Sequence, residues 1–383
     1  MNILRVIVIS SVRPESTSAG QIILHRHLVN RLGITLEVHG LEPRCQNLTS
    51  LIRRVVGRLG RTCLHRFVED FWVLWSGRWM DPELPQIITA PGRTVVLTVA
   101  HGDGFMAARR FARRHKLPLV AVFHDWWPDM ACVHRPIRRL LERRFRDLYY
   151  AADVALCVCP GMRDAFGPNP KAKILYPLPA SIDLPPANDP RPPGPFKVLY
   201  SGNLRDYGPI LGEVLEASLE HPEILIQVRG SNPPWTEERK IKMRENGRWM
   251  DFAPRHELET WLASADAFLV PMVFDASNRR RMETSFPSKL IEFAQFGKPL
   301  VIWGPEYCSA VQWARLGNRA LCITDPDPEA LKVGLETLAS NPGEFGRLTT
   351  ESVRASAQEF EHAAIQAQFV QILEDCTKIK INN

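Results

Sequence analysis

The sequence predicts an α/β protein built from two doubly wound domains, and three observations carry that prediction. Short apolar runs alternate with amphipathic helical patterns from the first residues onward, which is how βαβ units and a parallel sheet read in sequence. The alternation stops at 177–196, where eight of twenty residues are proline, and then starts afresh. The charge changes sign at the same place. Residues 1–185 hold 26 Lys+Arg against 15 Asp+Glu, a net +11, whereas the whole chain is only +6.

Length and composition agree with this division. A chain of 383 residues exceeds the size at which one hydrophobic core stops growing. With 45% hydrophobic and 23% charged residues, it has the make-up of an ordinary globular protein. The eight cysteines carry no CxxC pair, and Cys157 and Cys159, two apart in an apolar run, point to one face of a strand. That pattern argues against structural disulfides and a zinc site and suits a reducing cytosol. The N-terminal run contains Arg5 and lacks a small-residue cleavage site, so it reads as a first strand rather than a signal peptide. No apolar run approaches the ~18 residues that would span a bilayer. A cytoplasmic location is expected, with the arginine excess suiting a peripheral place on the cytoplasmic membrane face.

In chain order, apolar β-rich runs place strands at 4–10, 35–39, 94–100, 119–123, 154–158 and 174–176. The loop 11–20 leads into a helix at 21–32, and 51–80 reads as an arginine-rich amphipathic stretch. Residues 135–150 form a second such helix, with Ile137, Leu140, Leu141, Phe145 and Leu148 as one stripe between arginines. The proline-rich segment is neither helix nor central strand and behaves as a semi-rigid connector. The expected domains are therefore 1–183, a connector at 184–196, 197–355, and a C-terminal helix and tail at 356–383. In the second half, strands are expected at 197–201, 224–228, 249–252, 267–271, 299–303 and 320–323. A turn at 202–208 follows the first of them, and helices are expected at 210–220, 234–246, 256–264, 286–296, 307–316 and 327–340. A last helical segment at 343–377 is long enough to leave the second domain and pack back on the first. Two such domains form a cleft at the C-terminal ends of their strands, the edge at which open α/β sheets bind ligands.

The residues with chemistry sit at those strand ends. Gly20, closing the small-residue loop 16–20, lets backbone approach a ligand, with helix N–H groups behind it. The run 119–123 delivers His124, Asp125, Trp126 and Trp127 into one turn: a ring that titrates near neutrality, a carboxylate and two stacking faces. His101, in His-Gly-Asp-Gly, ends the preceding strand in the same way. Ser201, Gly202, Asn203 and Arg205 follow the first strand of the second domain. The helix at 286–296 has Ser285 or Phe286 at its cap and Pro287 in its first turn, where a missing N–H costs nothing. Ser288 starts it, and Lys289 and Glu292, three apart, share a face. That face is either solvated or, beside exposed N–H groups, suited to a phosphorylated, hydroxyl-bearing ligand. The arginine run 279–281 just upstream reads as mobile and solvated, and His25 and His27 as surface residues pointing apart.

Several motifs together resemble a known family: His-Asp at an N-domain strand end, ADVALCVCPGM at 152–162, ILYPLPASID at 174–183, YSGNL at 200–204 and PSKLIEFAQFGKP at 287–299. They are similar to those of the GT-B glycosyltransferases, nearest to the retaining family-four type of bacterial polysaccharide synthesis. The resemblance implies two Rossmann-like domains facing across a cleft. It further implies transfer of a sugar from a nucleoside-diphosphate sugar to a lipid-linked or glycan acceptor. By the same resemblance, Glu292 binds the ribose hydroxyls of the donor, Gly20 approaches its diphosphate, and His124, with Asp125, lies at the reaction centre. Ser201, Gly202, Asn203, Arg205, Ser288 and Lys289 then belong to the donor side, and His101 and Trp126 to the acceptor side. Two departures stand out. The family's paired glutamates would need a carboxylate at Thr284, with Glu283 one position off, and its clamp arginine is replaced by Asn203, leaving Arg205 and Lys289 as substitutes. No DxD-type cluster stands in a suitable turn, so no metal and no cofactor are expected. The arginine-rich faces at 53–66 and 135–146 suit either an anionic membrane surface or a generic basic exterior. A nucleotide-sugar 2-epimerase of the same layout is the alternative enzyme. A nucleic-acid-binding protein is the alternative of another class, but no recognition motif accompanies the basic half and no nucleic acid partner is expected.

Overall fold

The computed structural model describes residues 4–12, 14, 22–29, 34–39, 58, 62–79, 93–102, 104–180, 182 and 193–379. The chain divides into two units, 1–178 with 363–383, and 179–362. Among the described residues no helix is long and apolar enough to cross a membrane. Gly20 and most of the connector at 184–196 lie outside the described residues, as does the arginine-rich stretch 53–61 apart from Arg58.

The first unit runs β1 (Leu4–Ile9), α1 (Ile22–Leu28), β2 (Ile34–His39), α2 (His65–Trp79), β3 (Thr94–Val99), α3 (Gly104–Arg114), β4 (Leu119–Phe123), α4 (Trp127–Met130), α5 (Arg135–Ala151), β5 (Val154–Cys157), α6 (Pro160–Phe166) and β6 (Ala172–Ile174). All strand pairs are parallel, in the order β2-β1-β3-β4-β5-β6. β3 and β4 are buried along their whole lengths, which is why they read as unbroken apolar runs rather than alternating ones. The order of strands reverses between β1 and β3, the switch point at which such sheets take ligands. There the chain passes itself closely. A Cβ on Gly104 would stand 2.6 Å from the Ser11 nitrogen, while the Gly104 N–H donates to Ser11 Oγ at 3.0 Å.

The second unit runs β7 (Phe196–Ser201), α7 (Leu204–Ala217), β8 (Ile224–Arg229), α8 (Glu237–Glu245), β9 (Trp249–Met250), α9 (Arg255–Ala263), β10 (Ala267–Pro271), α10 (Arg279–Thr284), α11 (Ser288–Ala294), β11 (Leu300–Trp303), α12 (Ser309–Arg315), β12 (Leu321–Ile323), α13 (Pro328–Ser340) and α14 (Pro342–Gln358). Its sheet, again parallel, has the order β12-β11-β10-β7-β8-β9. The switch point therefore falls between β7 and β10.

The segment expected as one helix at 343–377 is two, α14 and α15 (His362–Ile379). The break is held by Glu359, whose carboxylate accepts from Trp313 Nε1 and Arg319 Nη1, both at 3.0 Å. Beyond it, α15 belongs to the first unit, where Ile365, Phe369, Ile372, Leu373 and Cys376 join the core beside Leu24, Leu28 and Val122. The C-terminal helix thus packs on the N-terminal domain.

Other expectations are corrected. Residues 204–208 are not a turn but the start of α7. Asn203 caps that helix, its Oδ1 accepting from the N–H groups of Arg205 at 2.8 Å and Asp206 at 3.3 Å. Trp235 Nε1 donates to the Gly208 carbonyl at 2.6 Å, and Pro209 lies inside the helix. The arginine run 279–281 is helical in α10, with Arg279 and Arg280 exposed. The helix expected at 286–296 starts two residues later, with Pro287 at its N-cap, and Phe286 is buried against Trp313 and Phe360.

Candidate active site

Each unit carries a polar cluster at its own switch point. In the first, Val99 of β3 pairs with Val122 of β4, and each strand delivers a histidine two residues later. His101 and His124 therefore lie side by side, ring centroids 5.6 Å apart and 19° from parallel. His124 Nε2 is 3.3 Å from Asp125 Oδ2, its side chain 10% exposed. The Trp127 ring stands 4.0 Å from the His101 ring. Burial, helped by the neighbouring His124 and opposed by Asp125, pushes the His101 pKa down to about 4. His101 is thus neutral at physiological pH, and its Nδ1 is buried without a hydrogen-bond partner. A neutral imidazole beside an imidazole–carboxylate pair can accept from, donate to and orient hydroxyl groups.

Trp126, expected on the acceptor side, does not face a ligand. Its ring is 1% exposed, Nε1 donates to Glu142 Oε2 at 2.8 Å, and the Arg146 guanidinium lies 5.0 Å from its centroid. The turn into α4 sends Trp126 into the core, and Trp127 is the tryptophan beside the histidines. Next to His124 is a cavity of about 20 Å³, room for about one water, lined by His27, Val122, Tyr176 and Phe369 among others. His27 is not a surface residue: it is 2% exposed, and Gln366 of α15 bonds both its Nδ1 and its carbonyl, each at 2.9 Å. Asp103 lies outside the described residues.

In the second unit, β7 ends at Ser201, buried with its Oγ unpartnered. Gly202 is required there, since a Cβ would stand 2.5 Å from the Tyr200 hydroxyl. Arg205 is exposed in the first turn of α7. The chain leaving β10 returns to this point, and Arg281 of α10 donates to the Asp206 carboxylate. In α11, Ser288 is exposed, and Lys289 Nζ lies 2.6 Å from Glu292 Oε2. Phe293 of the same helix meets Tyr200 edge-on at 6.5 Å. The Phe293 ring thus packs α11 toward the end of β7. The link through Arg281 and Asp206 was not legible in the sequence, because the two stand 75 residues apart.

No protein-family model matches the sequence, and no curated protein does. Solved structures do. The Anabaena protein HepE in complex with UDP aligns with a TM-score of 0.62 at 13% identity, covering 97% of this chain and all of its own. An E. coli trehalose-6-phosphate structure bound with UDP-2-fluoro glucose aligns at 0.58 and 12% identity over 97% of this chain and 99% of that one. The trehalose 6-phosphate synthase of Burkholderia multivorans does so at 0.53 and 14%, covering 98% of both chains. At these identities the likeness concerns the arrangement of elements, and it runs along nearly the whole of each chain. Two parallel-sheet α/β units with a returning C-terminal helix have the GT-B fold.

Proposed function

We propose that the protein is a glycosyltransferase moving a hexose from a nucleoside-diphosphate sugar to an acceptor hydroxyl, with retention at the anomeric carbon. The whole-chain likeness to HepE, solved with UDP and with UDP-glucose, carries this reading. The polar clusters at both switch points support it. In the second unit, Glu292 accepts from the ribose hydroxyls, and Ser201, Gly202 and Ser288 line the backbone around the donor. Arg205, Lys289 and the Asn203-capped N-terminus of α7 meet the charge that grows on the leaving diphosphate. In the first unit, His124, oriented by Asp125, holds hydroxyls of the reacting sugars. Trp127 takes the place expected of Trp126 beside His101. Positive charge from the protein itself serves the leaving group, so this chemistry needs no metal.

The acceptor we propose is lipid-linked or a glycan, reached from an anionic membrane surface. Leu64, Phe67, Phe71 and Leu74 are exposed on one face of α2 and the turn before it. Arg135, Arg138, Arg139 and Arg143 are exposed on α5. The two helices are joined by His134–Asp70 at 2.6 Å and by Arg144 donating to the Val73 carbonyl at 2.7 Å. An apolar stripe beside arginines suits a headgroup–acyl boundary.

Thermal-shift titration against UDP-, GDP-, ADP- and dTDP-sugars tests the donor, followed by product analysis with and without acceptor. One nucleotide sugar is expected to stabilise the protein, and its sugar to be transferred only when an acceptor is present. Conversion of the donor without acceptor would make the protein an epimerase, and no stabilisation by any of them would overturn the reading.

A further inference from the structure

We propose that His101, His124 and Asp125 form a binding site for a single divalent transition-metal ion of the zinc class, whose occupancy takes His124 out of sugar transfer. Each of the three residues offers one ligand atom, and these atoms all lie within 4.8 Å of one another. One edge of the site is already set. His124 Nε2 and Asp125 Oδ2 are 3.3 Å apart, and two ligands bound at about 2.0–2.1 Å to a tetrahedral ion stand roughly that far from each other. His101 has to close by no more than about 1.5 Å, within the reach of small side-chain rotations of this kind of site. It comes from the neighbouring strand end, so the ligands approach the ion from two separate turns.

The His101 ring adds an independent sign. Its Nδ1 is buried without a protein partner, an arrangement that suits a bound ion. Two imidazoles and a carboxylate suit zinc, cobalt and nickel better than the hard alkaline-earth ions. Three protein ligands leave a fourth position open, as in exchangeable rather than structural zinc sites. None of the ligands is a cysteine, so the cysteine pattern has no bearing on this site. A second group, His221, Glu223 and Glu336, has comparable spacing. There, however, the Lys332 ammonium stands 3.1 Å from His221 Nε2 and already supplies a positive charge.

A metal-bound His124 cannot hold a sugar hydroxyl with the same ring nitrogen. The inhibitory part of the proposal therefore rests on the function proposed above, whereas the binding part does not. The test uses metal-stripped full-length protein without substrate. Cobalt(II) is titrated while its visible ligand-field absorption is followed, and zinc(II) affinity is measured by competition with a chromophoric chelator. Binding of one ion per chain is expected, weakened by about tenfold or more in His101→Gln and in His124→Gln, and unchanged in His221→Gln. Circular dichroism identifies a variant that fails to fold, and the other histidine variant then decides. Equal affinity in wild type and the folded variant, or loss in His221→Gln instead, overturns the site. With the donor from the panel, zinc is expected to inhibit transfer at its half-saturating concentration, and EDTA to restore it. Saturated binding with undiminished transfer overturns the inhibitory role alone.

Discussion

Replacing Glu292 by Gln separates a donor ligand from a mere partner of Lys289. The substitution keeps the shape of the side chain and one carbonyl acceptor but removes the charge. In the free protein it breaks an ion pair whose side chains are 15% and 34% exposed. Such a partly solvated pair is worth about 0.5–1 kcal/mol, so Tm should fall by no more than about 2–4 °C for a unit of this size. With donor bound the cost is larger. Hydrogen bonds to a charged acceptor contribute about 1.5–3 kcal/mol, against about 0.5–1.5 for neutral ones. Two ribose hydroxyls donating to one carboxylate thus lose about 2–3 kcal/mol together, or roughly 30- to 150-fold in Kd. Calorimetric titration of wild type and Glu292→Gln with the nucleotide sugar and with the bare nucleoside diphosphate reads this directly. The ribose is common to both ligands, so both should weaken equally. Affinities within twofold of wild type, with the small Tm loss alone, would show that the carboxylate serves only Lys289. Weakening of the nucleotide sugar but not the diphosphate would move Glu292 from the ribose to the transferred sugar.

Three further outcomes are expected. Sugar transfer should be insensitive to EDTA in metal-free buffer, and a chelator-dependent loss in the initial rate would remove the role given to Arg205 and Lys289. Phe369→Ala, at a position 0% exposed in α15, should cost about 3–5 kcal/mol, measured as a lower denaturant midpoint. The same change enlarges the cavity beside His124. Thr284→Glu should lower Tm rather than improve donor binding, because residue 284 is fully buried and an ionised carboxylate there must be dehydrated.

What was legible in the sequence follows what burial does to a pattern. The runs 119–123 and 267–271 coincide with β4 and β10 residue for residue, because a strand buried on both faces is apolar throughout and bounded by its turns. The His-Asp pair after β4 and the Ser-Gly-Asn turn after β7 could be placed at strand ends for the same reason. Strand order could not, since parallel neighbours need not be close in sequence. That His101 and His124, alike at their strand ends, lie side by side is shown by the Val99–Val122 pairing. Adjacent tryptophans carry no periodic signal that separates them, and Trp126 was chosen where Trp127 faces the histidines. His27 looked like a surface residue because its partner Gln366 lies 339 residues away. The start of α7 was hidden by Gly208 and Pro209, whose low helix propensity is overridden by the Asn203 cap.

The missing carboxylate at Thr284 has a structural reading. The Thr284 hydroxyl donates to the Arg280 carbonyl at 2.7 Å, closing the last turn of α10 inside the protein. Glu283 is no displaced copy of the absent residue. Adjacent helical residues point about 100° apart, and the Glu283 carboxylate accepts from Arg279 at 2.7 Å while that guanidinium lies 4.7 Å from the centroid of the Tyr307 ring. The α10 segment instead places the Arg281 guanidinium at the Asp206 carboxylate in the first turn of α7. That ion pair ties α10 to α7. Glu292 is left as the only one of the two paired carboxylates present in sequence. Its charge is met by Lys289, as that of Asp206 is met by Arg281.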